Sequence, residues 1–140
     1  MLALLDTSYV VLMRLDTLAA SRATDARVKA LATTSFSQNG QARQAVRGLV
    51  DRLHISLALP DQAAIRDVQK ATQELQARSG PAFDESYLDG SIKGHEDLVK
   101  NIDEALGATI APDVKTFLQQ ARSNERAALK SAKDLRGSMP

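Results

Sequence analysis

Apolar positions along this chain recur at steps of three and four, the spacing of one buried face on an α-helix. Leu5, Tyr9, Leu12, Leu15 and Ala19 set that stripe in a first helix predicted from Leu2 to Arg22, widened by Leu4, Val11 and Leu18. Thr24 or Asp25 caps a second helix that runs to His54, with Val28, Leu31, Ala32, Ser35, Asn39, Ala42, Val46, Leu49 and Leu53 along one side. Such a helix spans about 45 Å. Ser35 to Gly40 is poor helix material, which predicts a bend there or, alternatively, a break into two helices. Residues 55–60, ISLALP, alternate like a strand but have no partner strand, so they read as a connector.

A shorter third helix is predicted from Asp61 to Arg78, with Ile65, Val68, Thr72 and Leu75 inward. Ser79-Gly80-Pro81 separates it from a fourth, Ala82 to Leu106. Phe83, Tyr87, Ser91, His95, Leu98, Ile102 and Leu106 form the main stripe of that helix. Pro112-Asp113 starts a fifth that ends near Arg136, with Val114, Phe117, Ala121, Asn124, Ala128, Ala132 and Leu135 on one face and a frayed tail, GSMP. The short turns make two antiparallel hairpins, and the long span between them carries the third helix. The fold expected is all-α: one domain over residues 1–140, a ferritin-like four-helix bundle with one long crossover holding a fifth, shorter helix.

Composition narrows the function. The net charge is +1 and aromatics are only 4% of the chain, so neither nucleic acid nor an anionic membrane is a natural partner. Lys115, Arg122, Arg126, Lys130, Lys133 and Arg136 make a basic stripe on the fifth helix without aromatic interleaving. No cysteine is present, which excludes disulfides and thiolate chemistry. The apolar first helix is broken by Asp6, Arg14 and Asp16, so no transmembrane segment is expected, although its breadth leaves room for a homodimer. The second helix carries five basic and two acidic residues and residues 82–106 carry two basic and seven acidic, which favours packing those helices side by side.

The stretch SGPAFDESYLDGSIKGHEDLV resembles the signature of a ferritin-like bacterial family catalogued as domain of unknown function 4142. The matching residues are Ser79, Gly80, Phe83, Asp84, Tyr87 and His95. ATDARVKALA at 23–32 is similar to a second family segment, with Leu31 where phenylalanine is usual. The resemblance implies a helical bundle exported to the periplasm or secreted. It also implies a glutamate on the first helix, an Asp-His pair on the second and a histidine on the last. Leu12, Gln38-Asn39 and Ala128 fall at those places, so His95 stands without them.

His95 therefore reads as a core histidine bonded to Asn39, Asn124, Ser91 or backbone, with Tyr87 completing a polar core, and only secondarily as a metal ligand. His54 reads as a helix-end cap, and Tyr9 as an inward tyrosine whose hydroxyl needs a partner. No catalytic constellation and no cofactor is expected. Three readings follow: a non-enzymatic structural or binding protein with a degenerate metal site, a ferritin-like metal-binding protein using His95, and an adaptor whose apolar groove takes a protein partner's helix or a lipid.

Overall fold

The computed structural model describes residues 2–57, 62–108 and 111–139. Five helices account for most of them: α1 (Leu2–Arg22), α2 (Ala26–Arg52), α3 (Gln62–Gln76), α4 (Gly80–Ala108) and α5 (Pro112–Gly137). There is no strand among the described residues. The four long helices form a ring in the order α1, α2, α5, α4, with α3 lying against α1 and α4. The prediction of an all-α bundle built from two hairpins and a crossover helix holds.

Side chains explain this ring. Near one end, Leu5, Leu12, Val46, Leu98, Ile102 and Leu118 pack together from all four long helices. Near the other, Leu15, Ala19, Val28, Ala32, Phe83 and Leu88 form a second cluster, closed by Leu75 of α3. Each fully buried Leu or Ile side chain contributes about 1.5–3 kcal/mol, so the two clusters supply most of the cohesion.

The turn between α1 and α2 is held by two carboxylates. Asp25 caps α2 and accepts a hydrogen bond from the Arg27 N–H at 2.8 Å. Asp84 of α4 accepts from the Thr24 N–H at 2.9 Å through Oδ1 and from the Asp25 N–H at 2.8 Å through Oδ2. Beside it, Arg22 donates to the carbonyls of Gln76 and Arg78 and stands 5.1 Å from the centre of the Phe83 ring. The end of α3 is tied down in this way, and Gly80, with φ +60, makes the sharp entry into α4.

Several expectations need correction. The alternative of a break between Ser35 and Gly40 is not realised: α2 runs through unbroken, with the Ser35 and Asn39 side chains bonded inside the bundle and Gly40 beside Met13. Charge does not bring α2 beside α4. The α4 acids instead pair with α5 through Asp89–Arg136, Glu96–Lys133 and Asp103–Arg122, while Arg43 and Arg47 of α2 pair with Asp6 of α1. The basic stripe of α5 is thus partly spent within the fold. The tail is anchored as far as Met139: Arg27 donates to the Ser138 hydroxyl at 3.2 Å, and Met139 packs on the second cluster. Ile65 of α3 keeps 38% of its surface exposed, and Leu75 near the C-terminal end is the buried residue of that helix. Residues 58–60 of the proposed connector lie outside the described residues.

His54 follows α2 with φ +52, donating its N–H to Asp51 while Ile55 donates to Val50. This is a Schellman termination with histidine in the place glycine usually takes, so the backbone rather than a charge ends the helix.

Gly94 leaves room on α4 for the Leu12 side chain of α1. A Cβ there would lie 2.6 Å from Cδ2 of the buried Leu12, whereas one at Gly90 would meet nothing within 4 Å. Gly94→Ala is expected to destabilise the fold by about 1–3 kcal/mol through overpacking. Gly90→Ala is expected to stabilise it by about 0.5–1 kcal/mol through helix propensity. Urea denaturation of the two variants checks both signs.

Candidate functional site: a polar layer between two apolar clusters

Between the two clusters the core turns polar. Asp16 of α1, Ser35 and Asn39 of α2, Ser91 and His95 of α4, and Glu125 of α5 are all buried at the middle of the bundle. The helical period puts them there. Asp16 follows Tyr9 and Leu12 at seven and four residues, and Glu125 follows Leu118 and Ala121 at the same intervals.

Two hydrogen-bonded groups make up the layer. In the first, Tyr87 donates its hydroxyl to Asp16 Oδ1 at 2.6 Å, and the Asn39 amide donates to Asp16 Oδ2 and to Ser35 Oγ, each at 3.1 Å. Ser91 stands beside the Tyr87 hydroxyl. In the second, His95 Nδ1 lies 2.5 Å from Glu125 Oε2.

Burial raises the pKa of Asp16 above the usual carboxylate range, and the bonds from Tyr87, Ser35 and Asn39 only partly offset it. Burial, then the Asp16 charge, pushes the Tyr87 phenol upward. Tyr9 is likewise raised by burial and by the charge of Glu125. Tyr9 is fully buried, and among the described residues its hydroxyl has no hydrogen-bond partner.

The layer is reached from the seam between α2 and α5. Small residues line this seam, among them Ala42, Ala45, Ala121 and Ala128, and leave a crevice of about 370 Å³. Tyr9, Asn39 and Glu125 line it too, with Gln38, Gln41, Gln120 and Asn124. A smaller space of about 100 Å³ touches Ser35, Ser91 and His95.

The predicted polar-core residues separate here. Tyr87, Asn39 and Ser91 gather around Asp16, and His95 stands with Glu125. Asn124 is exposed and accepts a bond from Gln120, because the inward stripe of α5 runs one residue further on, through Glu125. Of the signature residues, Phe83, Asp84, Tyr87 and His95 face inward, while Ser79 is exposed and Gly80 shapes the turn. Asp16 and Glu125 were not expected. Their spacing was a usable signal, but a charged residue on a stripe is ordinarily read as an interruption.

Among the described residues no three His, Asp or Glu side chains converge closely enough to share a cation. The donors present do not fit a resident metal, since the two oxygens of Asp16 are engaged by Tyr87 and Asn39 and Glu125 is engaged by His95.

With this geometry in hand, comparison with known proteins adds one finding. The family described as "Domain of unknown function (DUF4142)" matches residues 4–135, and the chain belongs to it. No curated protein and no solved structure gives a match. No described helix is long and apolar enough to cross a membrane.

Two predictions follow from the layer's chemistry. An acid whose pKa is raised by folding holds more protons folded than unfolded, so its contribution to stability is greatest at low pH and declines as pH rises above roughly 4. Asp16→Asn keeps an acceptor for Tyr87 and is expected to flatten that decline, measured as unfolding free energy in urea from pH 4 to pH 8. Tyr9→Phe removes a buried hydroxyl that has no partner and is expected to raise stability by about 1–3 kcal/mol in the same assay.

Proposed function

We propose that this protein is a non-enzymatic, exported binding bundle. Its polar layer occupies the place of a ferritin-like metal site and now receives a small polar ligand through the seam between α2 and α5. The observation that carries this reading is the Tyr9 hydroxyl, buried without a partner beside a crevice that also reaches Asn39 and Glu125. A donor kept desolvated and unpaired costs about 1–3 kcal/mol, a cost that a bound acceptor would remove. The acid and base groups, by contrast, bond to one another. That arrangement suits a fixed polar lining better than proton transfer to a substrate. Export rests on the family resemblance alone.

A second reading, a ferritin-like metal-binding protein using His95, is favoured by one feature. Asp16, His95 and Glu125 enter the layer from three different helices, as ligands in a bundle do. It requires Glu125 to leave His95 and Asp16 to leave Tyr87.

Elemental analysis of protein purified from its native compartment, without chelator or tag, separates the two. The binding reading expects transition metal well below one equivalent. One equivalent of iron, manganese, zinc or copper that disappears in His95→Ala would overturn it. Fractionation of the same cells tests export, and recovery with cytoplasmic markers would refute that part.

A further inference from the structure

The crossover helix α3 is fastened firmly at its C-terminal end. Leu75 is buried in the second cluster, and Arg22 holds the carbonyls of Gln76 and Arg78. At the other end Ile65 is 38% exposed and Val68 is half-buried, although the apolar stripe continues through both. A groove of about 510 Å³ lies there between α3, α1 and the last turns of α2. Val10 and Val11 of α1, Leu57, Ile65 and Val68 make it apolar, and Arg14, Arg43 and Arg47 bring cations to it. Its volume is that of a small-molecule site.

The arginines are unequally used. Arg43 Nε lies 3.0 Å and Arg47 Nε 3.4 Å from the same Asp6 oxygen. Both side chains therefore share Asp6 as an ion-pair partner. Arg14 forms no ion pair among the described residues. Three arginines and one carboxylate, Asp6, thus line the same trough. Guanidinium groups on successive turns of α2 match the planar, two-oxygen geometry of a carboxylate.

We propose that this groove binds a free long-chain fatty acid, its carboxylate on Arg43 and Arg47 and its single acyl chain along Val10, Val11, Ile65 and Val68. The apolar length supplies affinity and the arginines fix direction. This site is separate from the α2–α5 seam and does not depend on the function proposed there.

Isothermal titration calorimetry of the full chain with palmitate, below its critical micelle concentration, tests the proposal. One equivalent is expected to bind. Arg43→Gln with Arg47→Gln should weaken palmitate at least tenfold while leaving hexadecanol binding within about twofold. Val68→Glu should weaken both, with circular dichroism confirming the fold of each variant. Absence of palmitate binding would overturn the proposal. So would equal loss of palmitate and hexadecanol in the arginine variant, binding only to phosphatidylglycerol vesicles, or occupation of the groove by a second copy of the chain on sedimentation.

Discussion

A buried carboxylate on α1 is the interaction on which this bundle most depends. Asp16 sits at 1% exposure and joins three helices through the Tyr87 hydroxyl and the Asn39 amide. Burying a carboxylate is costly, and here each oxygen has a donor that offsets part of that cost. The converse also holds. Without Asp16, two buried donors on α2 and α4 would lose an acceptor together. Apolar clusters above and below can slide by a turn with modest loss, but these bonds have only one register.

The same logic gives the signature on α4 a physical meaning. Phe83 carries Arg22, Asp84 holds the backbone of the α1–α2 turn, and Tyr87 reaches Asp16. All three engage the C-terminal half of α1 or the turn that follows it. The residues by which the sequence resembles its family are therefore those that key the second hairpin onto the first. They are a docking device before they are part of any site.

Much of this was legible in the residues. Steps of three and four located all five helices, because each long helix must bury a stripe, and they turned Tyr87, Ser91, His95 and Asn39 inward. Asp16 and Glu125 escaped because a charge on a stripe costs too much to bury unless its partners are known, and those partners lie 71 and 30 residues away. Asn124 drew attention in place of Glu125 through a stripe read one residue early, a slip of about 100° around the helix. The charge imbalance between the second and fourth helices was real, but short turns decide neighbours more strongly than screened surface charge, so the acids of α4 found the bases of their own hairpin.

The alanine seam gives the molecule a mechanical polarity. Alanine buries little surface, so α2 and α5 adhere less per turn than the leucine-rich faces elsewhere. On the opposite side α1 and α4 are joined by Asp16–Tyr87 and by the clamp of Asp84 on the turn. The bundle is built like a book, with its spine along α1 and α4 and its free edge along α2 and α5. Local opening is cheapest at that edge. It would admit solvent to the polar layer while leaving both hairpins folded, so amides lining the seam would exchange with water ahead of those along the spine.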